Sequence, residues 1–216
     1  LAANVSLYPK MSYDPVKDLA PVSNVAFVPF FLVANPKLPA NTLEDVIALA
    51  RAKPAELLLG YGGNGTAMHL SGELFKLMAK VQLVNIPYKG SGPAAMDAVG
   101  GRLALAVVDV ASALAQVKAG RLKAIAVTSA RRISAAPDVP TMSEAGLPGY
   151  DATGWFGIVL PAATPVDIVA RLNAEVVATL KRPDIRARVL AAGAEPSPST
   201  AEEFGALIRS ETRKWA

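Results

Sequence analysis

The sequence predicts an α/β fold. Three observations carry the prediction. Short apolar runs at Glu56 to Leu59, Val81 to Ile86, Leu103 to Val108 and Lys123 to Thr128 alternate with stretches of helical periodicity. That is the pattern of parallel βαβ units. Two glycine-rich turns, Gly60-Tyr61-Gly62-Gly63-Asn64-Gly65-Thr66 and Lys89-Gly90-Ser91-Gly92-Pro93, each lie between such a run and a helical stretch. Hydrophobic residues make up 52% of the 216 positions and charged residues 19%, so the chain can bury a core and is not a disordered polymer.

The elements follow in order. Residues 1 to 29 read as irregular, with Tyr13-Asp14-Pro15 as a turn or helix entry and Ala20-Pro21-Val22 as a break. Pro29 to Ala34 is a strand stopped by Asn35-Pro36. Thr42 and Asp45 form a capping box for a helix whose stripe is Leu43, Val46, Ile47 and Ala50, and Pro54 closes it. The first glycine turn opens a helix from about Ala67 to Lys80 that buries Leu70, Leu74, Leu77 and Met78. After the strand Val81 to Ile86, a short helix runs from Pro93 to Val99, with Pro93 at its first position and Ser91 or Gly92 as cap. Leu103 to Val108 is a buried strand with Asp109 at its carboxyl end; a helix from about Ala111 to Ala119 and the strand Lys123 to Thr128 follow. Residues 129 to 154 form a long connection with one helical turn at Thr141 to Ala145. Trp155 to Leu160 is a strand, and Trp155 and Phe156 read as packing residues ahead of a ligand platform. Thr164-Pro165 supplies the cap and first position of a helix striped by Ile168, Leu172 and Val176. Pro183 opens another helix that ends near Gly193. Thr200 and Glu203 form the capping box of the last helix, lined by Phe204, Leu207, Ile208 and Trp215. There is no internal repeat and no low-complexity segment.

Composition removes several function classes. The chain has no cysteine and a single histidine, His69, which leaves no thiol nucleophile, no disulfide framework and little scope for a transition-metal site. Its 22 basic residues are scattered and aromatics are 6%, which argues against nucleic-acid binding. No apolar run is long enough to span a bilayer. Neither G-x-S-x-G, nor a Walker loop, nor H-E-x-x-H occurs. The opening Leu1-Ala2-Ala3-Asn4 is neither a start nor a signal segment, so a targeting segment has been removed or the N-terminus is missing.

The glycine turns are the candidate site. A strand, a turn without side-chain bulk and a helix start bring unpaired N–H groups and the positive end of a helix dipole up to an anion. Gly60, Gly62 and Gly65 also spell G-x-G-x-x-G, but the following strand runs into Pro87-Tyr88-Lys89-Gly90 with no carboxylate for a ribose. The small-anion reading is therefore preferred to the dinucleotide one, and no cofactor is implied. The candidate ligand-binding residues are Gly63, Asn64, Gly65, Thr66, His69, Tyr88, Lys89, Gly90, Ser91 and Asp109. Thr66 and Ser91 can add hydroxyl donors, and Tyr88 can pack on the ligand and donate its O–H. Lys89 can supply charge or stand in solvent. His69 reads first as a helix-face residue bonded to backbone. Asp109 reads first as a helix cap, with orientation of a water or of an ammonium as the other roles.

A set of motifs then resembles a known family across essentially the whole chain. They are Ser6-Leu7-Tyr8, Tyr13-Asp14-Pro15-Val16-Lys17-Asp18-Leu19-Ala20-Pro21-Val22, Gly63-Asn64-Gly65 with His69-Leu70, Pro87-Tyr88-Lys89-Gly90, Ala126-Val127-Thr128-Ser129, Pro137-Asp138-Val139-Pro140-Thr141 and Gly154-Trp155-Phe156-Gly157. In order, they are similar to the tripartite tricarboxylate transporter substrate-binding proteins, the Bug family. The resemblance implies a two-lobed periplasmic binding protein of type II fold, with residues 1–30 plus 155–216 in a first lobe and residues 31–154 in a second. It implies a non-enzymatic receptor that closes over a mono-, di- or tricarboxylate, or an acidic amino acid, and delivers it to membrane transporter subunits. By the same resemblance the opening part of the first lobe, with half of its ligand cradle, is expected to be missing from this chain, leaving the first lobe incomplete. The effector domain of a transcriptional regulator, which can share this fold, is the alternative.

Overall fold

The structure is a computed structural model that describes residues 1–8 and 10–216. In chain order its elements are α1 (Asn4–Leu7), β1 (Leu19–Val28), β2 (Phe30–Ala34), α2 (Leu43–Ala52), β3 (Leu58–Tyr61), α3 (Ala67–Ala79), β4 (Val84–Pro87) and α4 (Ser91–Val99). They continue as β5 (Leu105–Asp109), α5 (Val110–Lys118), β6 (Lys123–Val127), β7 (Gly154–Pro161), α6 (Val166–Lys181), α7 (Pro183–Ala191), β8 (Glu195–Pro196) and α8 (Ala201–Lys214). The chain divides into two compact units, Leu1–Phe27 with Trp155–Ala216, and Val28–Gly154.

The unit Val28–Gly154 is built on a five-stranded sheet in the order β4-β3-β5-β2-β6. β3 pairs in parallel with both β4 and β5, as the alternation of strand and helix requires. The sheet is not wholly parallel, however: β2 runs antiparallel to β5 and to β6. β2 is preceded by a strand rather than a helix, so no crossover constrains its direction. All five of its residues are buried, as a central strand covered on both faces demands. One face packs Phe31, Val33, Ala106 and Val108 against the alanines of α4 and Val110 and Ala113 of α5. Small residues let the helices approach: a Cβ on Gly72 of α3 would lie 3.0 Å from Leu59 Cδ2.

In the other unit, β1 lies between β7 and β8. Phe204 of α8 sits against this sheet, with Trp155 edge-on to it at 5.5 Å. Phe204 also occupies the space over Gly157 where a side chain would go. α6 contacts both α7 and α8. Asn173 of α6 donates to the carbonyls of Val22 (2.7 Å) and Ser199 (2.9 Å), which ties the helix to the sheet.

Several expectations are corrected. Residues 1 to 29 are not irregular: they hold α1 and the ten-residue β1. Pro21 lies inside β1 and does not break it, because its fixed φ suits an extended backbone and only one ladder donor is lost. α4 begins at Ser91 with Gly90 as N-cap at φ 108°, so Pro93 is the third helical residue, still within the turn whose N–H groups have no intrahelical partner. β4 spans Val84–Pro87, and Val81 to Leu83 lie before it. α3 buries Ser71, Gly72, Phe75 and Ala79, and Leu77 is 74% exposed. α6 starts at Val166 with Pro165 as N-cap; Thr164 donates to Pro161 O and does not cap. Its Ile168 and Leu172 are exposed, as is Phe156 at 66%. Among the described residues no helix is long and apolar enough to cross a membrane.

Candidate functional site

The parallel register places three strand ends together. Tyr61 pairs with Pro87 on one side and with Val107 on the other, so the carboxyl ends of β3, β4 and β5 share one edge of the sheet. Each end feeds a helix: Thr66 caps α3, Gly90 caps α4 and Asp109 caps α5. Three helix N-termini therefore meet at one edge, the place where open α/β sheets take ligands. The antiparallel β2 begins at the same edge, with Phe30 opposite Asp109.

The two glycine turns touch. A Cβ on Gly62 would lie 3.2 Å from the Gly90 carbonyl carbon, and one on Gly63 would lie 3.5 Å from the Tyr88 carbonyl oxygen. Gly63, Gly65 and Gly90 have φ of 126°, 73° and 108°, which only glycine adopts freely. Around Gly90 and Gly92 a Cβ would meet nothing within 4 Å, so the start of α4 faces open space.

Most of the polar side chains at this edge are already committed to the protein. Thr66 Oγ1 donates to Gly63 O (2.7 Å) and accepts from the His69 N–H (3.3 Å). Ser91 is buried; its Oγ donates to Met68 Sδ (2.9 Å) and accepts from the Asp109 N–H (3.1 Å). Tyr88 donates its O–H to Asp97 Oδ2 (2.8 Å), and burial together with that carboxylate pushes its pKa up. Asn64 Oδ1 accepts from the Tyr61 O–H (2.8 Å). Asp109 Oδ1 accepts from the Ser112 N–H (2.7 Å), which makes it a cap. The free-hydroxyl role expected of Thr66, Ser91 and Tyr88 is thus corrected: these groups brace the turns. Lys89 is exposed.

His69 also braces. The Gly65 N–H donates to its Nδ1 at 3.2 Å, Nε2 lies 3.6 Å from Glu73 Oε1, and the ring stacks on Tyr61 at 4.7 Å. Glu73 in turn pairs with Lys76 (2.7 Å) and accepts from Asn85 of β4. Partial burial pushes the Glu73 carboxyl up, but the Lys76 and Asn85 hydrogen bonds outweigh it and hold the group below its ordinary range.

What faces outward is backbone. The first-turn N–H groups of α3 and α4 have no intrahelical acceptor, and the dipoles of both helices point the same way. Such an edge attracts a small anion through N–H groups. Among the described residues no group of three or more His, Cys, Asp and Glu side chains is placed to hold a metal. Sequence reasoning missed Met68. Its side chain covers Gly62 and its sulfur binds Ser91, which joins the first turn to the second. A methionine in a helix's first turn carries no signal of such a role.

The model of the family described as "Tripartite tricarboxylate transporter family receptor" matches residues 2–216. The chain belongs to this family. Among its relatives, Protein BugT of Bordetella pertussis is 37% identical over 216 residues, covering 100% of this chain and 66% of BugT. The chain thus spans just under two thirds of that relative's length. Solved structures of similar fold include Rpa4515 of R. palustris with adipate, at 36% identity and a TM-score of 0.85, covering 96% of this chain and 70% of that one. MatC from Rhodopseudomonas palustris with bound malate matches at 31% identity and a TM-score of 0.85, over 99% of this chain and 74% of MatC. The fold is that of the periplasmic binding proteins of this family, a family of solute receptors.

Proposed function

We propose that this chain belongs to an extracytoplasmic receptor that captures a small organic carboxylate for a tripartite tricarboxylate-type transporter, and that it binds one carboxylate group at the shared edge of β3, β4 and β5. The observation that carries the reading is the meeting of the α3, α4 and α5 N-termini beside two touching glycine turns. A carboxylate there accepts hydrogen bonds from backbone N–H groups, each helix end contributing about 0.3–1 kcal/mol, rising to about 2 kcal/mol where partly buried. No arginine fork is needed. Gly63, Gly65, Gly90 and Lys89 stand at the ligand, while Asn64, Thr66, His69, Tyr88, Ser91 and Asp109 hold the turns in place. The adipate and malate held by the two R. palustris relatives support the ligand class, and the family's transport role supports a periplasmic location and membrane subunits as partners.

The test is an NMR titration of the chain with malate, adipate, citrate and glutamate. One or more of them is expected to shift the amide resonances of Gly63, Gly65, Gly90 and Gly92 first. Shifts confined to other parts of the chain would move the site elsewhere, and no shift with any carboxylate would remove the reading.

A further inference from the structure

We infer that His69 is a positioning residue that decides whether the Gly65 N–H is open to the ligand, so that carboxylate binding at this turn takes up a proton. The inference rests on the carboxylate-receptor reading above and adds proton linkage to it.

The geometry is specific. Gly65 is one of the donors expected at the turn, yet its N–H is directed at His69 Nδ1 (3.2 Å). A ring nitrogen that accepts is unprotonated, so the proton of the neutral imidazole sits on Nε2, on the side of Glu73 Oε1 (3.6 Å). When the ring takes a second proton, Nδ1 becomes a donor and can no longer accept from Gly65. Two hydrogens then point at one another, and the pair is satisfied only by an acceptor placed between them or by turning the Gly65 peptide outward. That peptide joins Asn64 to Gly65, and Gly65, at positive φ, has no Cβ to resist its rotation. An anion is the acceptor that both outcomes favour: it receives the released N–H and sits beside a new positive charge.

The His69 ring lies among polar and charged groups. The titratable and charged groups packed around it are Glu73 and Lys76 on α3 and Tyr61 on β3, with the neutral Asn85 on β4. Glu73 is the nearest of the charges, and its bonds to Lys76 and Asn85 keep it ionised and in place. It faces Nε2 in either state of the ring, so the hydrogen bond that changes on protonation is the one to Gly65. Linkage then gives the direction. A carboxylate binds more tightly beside the protonated ring than beside the neutral one, so affinity rises as pH falls.

The chain has one histidine, so its ring signal is unambiguous. In a pH titration followed by NMR on the free protein, the His69 ring and the Gly65 amide are expected to move with one midpoint. Adding malate is expected to raise that midpoint, and malate affinity is expected to tighten about fivefold or more from about pH 8 to about pH 6. His69→Asn keeps an acceptor oxygen near the position of Nδ1 but cannot titrate, so its malate affinity should be flat over the same range. A purely structural histidine would not move this profile. A Gly65 amide that ignores the ring titration, or wild-type affinity as flat as that of His69→Asn, overturns the inference and leaves the receptor reading standing. If neither malate nor adipate shifts any resonance of the turn at either pH, the receptor reading fails and the inference falls with it.

Discussion

Two single residues separate the site from the fold that carries it. Gly92 has ordinary helical geometry, and a Cβ there would meet nothing within 4 Å. Gly92→Ala should leave stability unchanged or raise it by up to about 1 kcal/mol, from the helix propensity gained. It should nonetheless weaken malate binding, because the added methyl stands over the start of α4; thermal melts with and without malate check both halves. Asn24 makes the opposite point. It is 2% exposed in β1, and neither its Nδ2 nor its Oδ1 has a hydrogen-bond partner among the described residues. A buried amide without partners costs about 1–3 kcal/mol, so Asn24→Leu should raise the urea midpoint by a comparable stability. A lower midpoint would mean that the amide is satisfied in solution. At this scale the sequence was a good guide to backbone and a poor one to side chains. Glycines at positive φ stand out in a sequence because no other residue replaces them cheaply. The hydroxyls of Thr66, Ser91 and Tyr88 read as free donors only because their acceptors, Gly63 O, Met68 Sδ and Asp97 Oδ2, come from the folded arrangement.

At the scale of elements, the helix starts were legible where capping is local. Thr42 with Asp45 and Thr200 with Glu203 form full capping boxes, and Pro183 opens α7. The bonds involved span three residues, so the sequence alone contains both partners. Stripes were less legible. α3 hides Ser71 and Gly72 and exposes Leu77, because its inner face must lie close to Leu59 and must receive the Tyr150 hydroxyl. That hydroxyl donates to Ser71 O (2.8 Å) and pairs with Ser71 Oγ (2.8 Å), fastening the long connection before β7 to α3. Tyr150 is 1% exposed, and burial pushes its pKa well above the ordinary value. Tyr150→Phe should therefore cost about 1–2 kcal/mol, read as a lower urea midpoint with an unchanged slope. No change in midpoint would show that the tie contributes nothing.

Over the whole molecule, the acid limb of stability follows from hydrogen-bonded carboxylates. Backbone N–H groups of Val16 and Lys17 hold Asp14 below its ordinary pKa, those of Asn41 and Thr42 hold Asp45, the Thr141 N–H and Arg132 hold Glu144, and Arg182 holds Asp184. Each depressed value favours the folded state while the carboxylate is ionised. That contribution is present above the unfolded values near pH 4 and is lost as pH falls through the folded ones. The melting temperature should hold from neutral pH to about pH 5 and fall below about pH 4; a flat profile to about pH 3 would contradict it. The unit Leu1–Phe27 with Trp155–Ala216 also leaves Phe156, Ile168 and Leu172 exposed, where the sequence led us to expect packed residues. By itself the sequence determined the α/β class, the capped helix starts, the glycine turns and the family, because all of these rest on short-range geometry or on motifs in order along the chain. Only the tertiary structure decided that β2 runs against its neighbours and that three helix starts share one edge. Those outcomes depend on which strands pair and in which register, a choice made by burying β2 between β5 and β6 and not by any local run of residues.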